Sequence, residues 1–262
     1  MAPRIPGGTQ SIVRTVNLLK ALGAHRQIGW RLTDLAAHCN LTTSTTYRIM
    51  QCLTAMRLVR QRTHDKRYVP GPILYEFSLT VPLYFQFQAA CSGTVARVAA
   101  RTRWVTFLAL RSADETVCID RQGSTSVNIM NDVGRRLPIM GSALGVSMLL
   151  HLPRAEQQAV FARSRKALRS NPAHHGRAYD EMWRRSLRAG AGLNLGDIVP
   201  GGASMSVAIL DTNGLPVAAL GVAGPRFEFS EKRTGVARAI LESESARISR
   251  EQAELIDELG TA

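Results

Sequence analysis

The sequence has few cysteines, and those it has are far apart. They lie at positions 39, 52, 91 and 118, and no two have the Cys-x-x-Cys spacing of a zinc or redox site. We therefore expect no disulfide framework and no metal site, but reduced thiols of the kind found in the cytoplasm. No cofactor-binding motif has its full spacing either, so we expect no cofactor.

Long apolar runs are also absent. Runs such as residues 207–210 and 217–222 have the length of strands and not the roughly 18 residues of a membrane helix. The first eight residues lack the apolar stretch of a secretory signal, and we expect residues 1–10 to be a flexible tail. These absences predict a cytoplasmic protein with no membrane partner.

Acidic residues and lysine are scarce relative to arginine. Lys and Arg total 33 against 20 Asp and Glu, a net charge of +13, and only four of the cations are lysine. Up to residue 76 there are eleven cations and three acids, whereas the other 186 residues have a net charge of only +5. This distribution predicts a nucleic-acid-binding module followed by a different one.

A length of 262 residues, 45% of them apolar, fits two folded domains and excludes a disordered protein.

Apolar spacing predicts a helix-turn-helix in the basic part. One helix is predicted over 11–22 with Ser11 as its N-cap, and a short second helix with Thr33 as its cap. Asn40 follows at a position where a tight turn requires a left-handed backbone. A third helix then begins, and this order is that of a helix-turn-helix.

The start of the third helix has the chemistry of a DNA-reading surface. Thr43 or Ser44 can cap it, and the hydroxyls of its first turn can reach phosphates or base edges. Arg48 can form a forked pair with guanine, and the helix N-terminus itself attracts phosphate. The expected buried face consists of Ile49, Leu53 and Met56.

A basic hairpin follows the third helix. Residues 58–62 and 67–69 have strand-like patterns on either side of the polar tip 63–66. Such a hairpin is a wing, which can follow the DNA backbone and bring a cation near the minor groove. Each of these residues taken alone also fits a solvated surface, but the ordered set favours DNA. The residues predicted to contact DNA are Thr43, Ser44, Thr45, Tyr47, Arg48, Lys66 and Arg67.

On these residues the chain resembles the IclR-type transcriptional regulators over nearly its whole length. It departs from the family at Asn40, Thr46 and Pro70, where Gly, an aliphatic residue and Leu are usual. The shared motifs are Leu-Thr-Asp-Leu-Ala at 32–36, Ser-Thr-Thr-Tyr-Arg at 44–48, Leu-Val at 58–59, Arg-Tyr at 67–68, Gly-Arg-Arg-Leu-Pro at 134–138, Ser-Ala-Leu-Gly at 142–145, Arg-Ala-Gly at 188–190 and Ala-Gly-Pro at 223–225.

The resemblance implies an α+β fold with an N-terminal winged helix-turn-helix domain, a linker helix and a C-terminal GAF-like α/β effector-binding domain. It also implies assembly as a homodimer or, as a dimer of dimers, a homotetramer. We expect a flexible tail over 1–10, the winged helix-turn-helix over 11–72, linker helices over 73–102 and an effector-binding and oligomerisation domain over 103–262.

The second half alternates short strands and helices, as an α+β domain does. Asp-Thr-Asn-Gly at 211–214 predicts the tight turn of a hairpin. Strands are predicted over 105–111, 116–120, 125–131, 204–210 and 216–222, and helices over 142–151, 154–167, 177–189 and 230–259.

The resemblance also implies a cleft for an effector. The matching positions are Ala143, Leu144, Asn194, Ser204, Gly221 and Ala223. The loop 194–197 lacks the family's run of acidic residues, and Gly221 and Ala223 stand where a sensor of small acids has hydroxyls. We infer a roomier cleft for an aromatic or phenolic carboxylate, held by helix-start amides and Ser204. Its expected apolar walls are Met130, Met140, Met205, Phe107 and Trp104, although the same side chains could simply pack the core.

Three short patterns resemble enzyme motifs but lack a required part. Residues 202–206 nearly spell Gly-x-Ser-x-Gly, but the final Gly is absent and Ser204 begins a predicted strand. His174 and His175 lie in a loop with no carboxylate nearby in sequence. The glycines of 190–196 resemble a dinucleotide loop, but the third comes one residue late and the loop follows a helix. We therefore expect no enzymatic activity.

Together these patterns predict a ligand-responsive transcriptional regulator of a catabolic operon. The expected partners are a double-stranded DNA operator, a small organic carboxylate of aromatic type, further copies of the chain and RNA polymerase. The alternative is a DNA-binding protein whose second half only dimerises and senses no ligand. A stability response to a metabolite distinguishes the two.

Overall fold

The chain divides into two compact units, residues 1–82 and 83–262, each with its own hydrophobic core. The computed structural model describes residues 8–24, 28–127, 132–169 and 176–261. The division falls within the predicted linker 73–102. The domain limits drawn from the sequence stay predictions.

The first unit is a helix-turn-helix followed by a two-stranded hairpin. The two strands pair antiparallel with Arg60 opposite Val69, and Leu35, Met50 and Tyr68 lie in the buried centre. The elements are α1 (Gln10–Ala24), α2 (Leu32–His38), α3 (Thr43–Ala55), β1 (Val59–Gln61), β2 (Tyr68–Pro70) and α4 (Pro72–Ser78).

The turn between α2 and α3 forms as the sequence predicts. Asn40 has a φ of +53°, in the left-handed region that asparagine tolerates better than most side chains. Its amide donates to the carbonyl of Ala37 at 3.2 Å, and the Leu41 amide donates to that of Ala36 at 2.9 Å. The chain reverses here, and α3 begins three residues later.

The three predicted N-caps of this unit are wrong. Ser11 lies inside the first turn of α1. The N-cap of α2 is Arg31 and not Thr33, and it makes no side-chain capping bond. The cap of α3 is Thr42, because the helix begins one residue earlier than its hydroxyl-rich sequence suggested.

The buried face of α3 also differs from the prediction. Leu53 is buried as expected and Ile49 is half-buried, but Met56 is 63% exposed because α3 ends at Ala55. Met50 is fully buried instead.

The second unit contains a six-stranded antiparallel sheet with helices on both faces. Its strand order is β5-β4-β3-β8-β7-β6. The elements are α5 (Pro82–Thr102), β3 (Val105–Ser112), β4 (Glu115–Gln122), β5 (Arg136–Pro138), α6 (Ala143–Leu150), α7 (Arg154–Arg169), α8 (Gly176–Ala189), β6 (Gly192–Asn194), β7 (Gly202–Leu210), β8 (Pro216–Pro225), α9 (Glu231–Glu251) and α10 (Ala253–Thr261).

The alternation of side chains along the strands divides the core into two layers. Phe107, Ala109 and Ala219 point to the face covered by α6, α7 and α8. Leu108 and Leu220 point to the opposite face, which α5, α9 and α10 cover. The sheet is therefore the middle layer, as a strand period of two requires.

Two predicted elements of this unit need correction. Residues 125–127 form no strand, and 128–131 lie outside the described residues. The outer partner of β4 is instead β5, which pairs Leu137 with Thr116. The predicted helix 230–259 is two helices, because Gln252 leaves the helical conformation with a φ of −120°.

Two of the four cysteines, Cys91 and Cys118, are buried. All four cysteines are free, and burial raises the pKa of Cys91 and of Cys118 to about 12. These two thiols are therefore protonated and poorly reactive. None of the described helices has both the length and the apolarity needed to cross a membrane.

Candidate nucleic-acid interface and ligand cleft

The start of α3 is organised by the Thr42 side chain. Its hydroxyl accepts from the Thr45 amide at 3.2 Å and donates to the Thr45 hydroxyl at 2.9 Å. The Thr42 carbonyl accepts from the buried hydroxyl of Thr46 at 3.0 Å. Thr42 therefore fixes the first turn, and the side chains of Thr43 and Ser44 stay exposed on it.

The same helix presents two further side chains of the predicted interface. Tyr47 is 48% exposed, and Arg48 is exposed with no charged or hydrogen-bonded partner among the described residues. Thr45 is half-buried, and its hydroxyl already has a partner. The structure thus brings the predicted residues of α3 to one exposed end of the helix.

Asp65 holds the wing together. Its carboxylate lies 2.8 Å from a guanidinium nitrogen of Arg62 and accepts from the Arg67 amide at 3.1 Å. Arg67 also donates to the Gly29 carbonyl at 3.0 Å, and Arg62 donates to the Ile28 carbonyl. Both arginines therefore connect the hairpin to residues 28–29.

The pKa of Asp65 reflects these contacts. Burial works against its ionisation, but the Arg67 amide and the charges of Arg62 and His64 together hold its pKa below the usual value. The carboxylate is ionised at neutral pH, so the clamp is present under physiological conditions.

The two predicted cations of the wing differ in how freely they can contact an external phosphate. Lys66 is exposed at the tip, and its ammonium has no partner among the described residues. Arg67 is half-buried because its guanidinium contacts Gly29 and Asp65. The geometry therefore favours Lys66 over Arg67 as a contact to an external phosphate.

The predicted cleft residues converge on the sheet face that α6 covers. Asn194, Ser204 and Ala223 are consecutive partners across β6, β7 and β8. Because directly opposite residues share a face, the three side chains form one row. The next row consists of Gly192, Ser206, Gly221 and Phe107.

α6 begins directly over the second row. Its N-cap Ser142 accepts from the Gly145 amide at 3.2 Å, which leaves the first amides of the helix, including those of Ala143 and Leu144, without an intrahelical acceptor. A Cβ atom at Gly221 would lie 2.9 Å from Leu144 Cδ2, and one at Gly192 would collide with the Ala143 carbonyl. The two glycines permit this contact between helix and sheet.

Asn194 contributes to the shape of the adjoining loop. Its side-chain oxygen accepts from the Asp197 amide at 2.9 Å and from the Ile198 amide at 3.4 Å. Asp197 in turn pairs with Arg185 and accepts from the Leu195 amide at 3.2 Å. The structure therefore gives Asn194 a loop-forming role, and its effector contact stays a prediction.

The apolar wall expected around the cleft is smaller than predicted. Phe107 and Met140 lie on the α6 face, but Trp104 and Met205 belong to the opposite core. Trp104 stacks on Phe229 with ring centroids 4.0 Å apart, so this ring packs the core. Met130 lies outside the described residues.

Comparison with known proteins identifies the family. The IclR helix-turn-helix domain matches residues 11–63, and the bacterial transcriptional regulator IclR C-terminal domain matches residues 86–250. The chain belongs to the IclR family. It is accordingly a DNA-binding transcriptional regulator, and its relatives are regulators and not enzymes.

Individual IclR-family relatives are distant but span nearly the full chain. The HTH-type transcriptional regulator KdgR of Escherichia coli K12 is 23% identical over 246 residues, which is 93% of each protein. An IclR family regulator from Brucella abortus superposes with a TM-score of 0.70 at 18% identity, covering 95% of this chain and 96% of that one. An IclR homologue from Microbacterium hydrocarbonoxydans, solved with 4-hydroxybenzoate, gives 0.67 at 22% identity, covering 94% and 99%. These structures share the fold.

Two residues of the sites were missed by sequence reasoning. Thr42 could have been found as the first hydroxyl of the Thr-Thr-Ser-Thr run, since a cap precedes the helix it serves. Ser206 could have been found from the strand period of two, which places it on the same face as Ser204.

Removal of the Thr42 hydroxyl should loosen the start of α3. Thr42→Ala should lower the local stability of α3 by about 1 kcal/mol, because the Thr45 amide loses its acceptor. Amide hydrogen exchange of α3 in the full chain should therefore speed up about fivefold. The matched control is Thr43→Ala, whose exposed side chain makes no such bond, and equal exchange in both variants would contradict the capping role.

Proposed function

We propose that this IclR-family regulator responds to a small organic carboxylate of aromatic type and controls a catabolic operon. The observation that carries the proposal is that α6 begins over the sheet row that contains Ser206 and Gly221, next to the row that contains Ser204 and Ala223. A helix N-terminus favours an anion, and a nearby hydroxyl can donate to a carboxylate oxygen.

Two observations support an aromatic effector. Phe107 and Met140 are buried apolar side chains on the α6 face, and Phe107 lies in the same row as Ser206. The relative from Microbacterium hydrocarbonoxydans was solved with 4-hydroxybenzoate, a phenolic carboxylate, and it has the same fold. We therefore propose a phenolic carboxylate as the effector of the present chain as well.

An aromatic acid should stabilise the full-length protein. At 100 times its Kd, 4-hydroxybenzoate or a related benzoate should add about 2.7 kcal/mol, which raises the melting temperature by several degrees. The measurement is a thermal-shift titration with benzoates, glyoxylate and pyruvate, with Arg48→Ala as a control that keeps the cleft intact. A response to glyoxylate or pyruvate alone would exclude the aromatic class. No response to any metabolite would favour the alternative, a DNA-binding protein whose second unit only dimerises.

The proposed DNA contacts are made by side chains that are exposed and that can bind a base or a phosphate. Arg48 and Lys66 are the two predicted cations without a partner among the described residues, and they lie on the recognition helix and at the wing tip. In a dimer, two copies of α3 would enter successive major grooves of a roughly palindromic operator. Arg48 would read a base, Lys66 would contact phosphate, and Thr43, Ser44 and Tyr47 would orient the helix.

Alanine substitution should separate base reading from phosphate contact. Arg48→Ala should cost about 1–3 kcal/mol and relax base preference at one position, whereas Lys66→Ala should weaken binding to all duplexes and lower the salt slope by about 1. Selection from a random duplex library followed by binding titrations at several salt concentrations measures both effects. Arg184→Ala, an exposed arginine of the second unit, is the control. Unchanged base preference in Arg48→Ala would show that another residue reads the operator.

The proposed assembly is a homodimer, which can pair into a homotetramer. Around the start of α5, a short segment exposes six large apolar side chains, each 42–70% exposed: Tyr75, Phe77, Leu79, Val81, Tyr84 and Phe85. Four of these side chains belong to the first unit and two to the second, so each unit exposes apolar area of the kind that stable interfaces bury. The occupant that we propose for these side chains is a second copy of the chain.

Serine at the aromatic positions should weaken self-association. Phe77→Ser and Phe85→Ser should each raise the dimer dissociation constant by about thirtyfold or more, because a buried aromatic anchor contributes about 2 kcal/mol or more. Analytical ultracentrifugation measures the constant. Leu187→Ser, which changes an exposed leucine on α8, should leave it unchanged. If Phe77→Ser and Phe85→Ser associate like the wild type, the interface lies elsewhere.

A further inference from the structure

Ser206 has a buried hydroxyl that lacks a hydrogen-bond partner. The residue is fully buried on β7, and its Oγ has neither a donor nor an acceptor within reach in the described structure. A buried polar group that is left unpaired destabilises the fold, because it has lost its hydrogen bonds to water without replacing them. An uncompensated hydroxyl at this position is therefore a sign that another molecule provides the missing partner.

The other buried serines show that an unpaired hydroxyl is unusual in this protein. Ser147 donates to the Leu144 carbonyl at 2.8 Å, and Ser245 donates to the Ala208 carbonyl at 2.6 Å. Ser164 accepts from the Met140 amide at 3.1 Å, and Ser186 accepts from the Leu193 amide at 2.9 Å. Among the fully buried serines of the described residues, only Ser206 is unpaired.

The surroundings of Ser206 point to the start of α6. It lies between Gly192 and Gly221 in one row of the sheet, so no neighbouring side chain in that row screens its hydroxyl. The Leu144 side chain packs on Gly221 from above. Ser204, two residues earlier on the same face, is half-buried and therefore nearer to solvent.

We infer that Ser206 is the innermost polar contact for the effector and that it donates its hydroxyl hydrogen to a carboxylate oxygen. The inference rests on the proposed function, because it requires a carboxylate in this cleft. In the structure Leu144 packs over Gly221, and the Ala143 carbonyl lies over Gly192, on the side of the Ser206 hydroxyl, so the first turn of α6 must move before an effector can reach Ser206. Binding is thereby coupled to a change in the first turn of α6.

Substitution of Ser206 should lower the affinity for the effector without lowering the stability of the ligand-free protein. In Ser206→Ala the ligand-free protein should melt at the same temperature or higher, because an unpaired hydroxyl is removed from the core. The Kd for 4-hydroxybenzoate, measured by calorimetry on the full chain, should rise about tenfold. Ser206→Cys, a similar side chain with a weaker donor, should give a smaller rise.

The control is Ser245→Ala, which removes a paired buried serine on the opposite face. It should lower the melting temperature and leave the Kd unchanged. If Ser206→Ala loses as much stability as Ser245→Ala, or binds 4-hydroxybenzoate as tightly as the wild type, the inference is wrong while the proposed function stands. If the wild type binds none of the acids tested, the proposed function fails and the inference fails with it.

Discussion

The close approach of α6 to the sheet is the constraint on which the second unit depends. Gly192 and Gly221 lack Cβ atoms, and the first turn of α6 occupies the space that such atoms would need. A side chain at either position would push the helix away from β6–β8. The core packing and the proposed anion site therefore depend on the same two glycines, and a change that loosens the packing should also weaken the site.

The polar side chains of the first unit fall into two groups, those that hold the structure in place and those that remain exposed. Thr42 and Asp65 hold backbone and arginines in place, whereas Arg48 and Lys66 remain exposed. A helix-turn-helix needs both groups, because a base-reading side chain is useful only on a helix whose start is fixed. Among its described residues, the positively charged first unit thus contains fewer free cations than its composition indicates.

The structural features that were predicted correctly from the sequence are those that depend on local patterns. Asn40 marked the turn, and the Asn-Gly pair at 213–214 marked the hairpin of β7 and β8, because both signals arise within a few residues. The three-residue strands β5 and β6 are too short to show a period and exist through pairing with distant segments. Trp104 was wrongly assigned to the cleft wall with Phe107, although the two lie three positions apart and a period of two puts them on opposite faces. The missing partner of Ser206, by contrast, became visible only with its neighbours in place.

The clamp around Asp65 has a consequence for how quickly the wing can engage a duplex. Arg62 and Arg67 are already immobilised against the carbonyls of residues 28–29 before any nucleic acid arrives. Little rotamer freedom remains to be lost by these two long side chains at the moment of docking. In the proposed complex the hairpin would therefore dock as a pre-organised element, and the position of its tip would decide which phosphates it contacts.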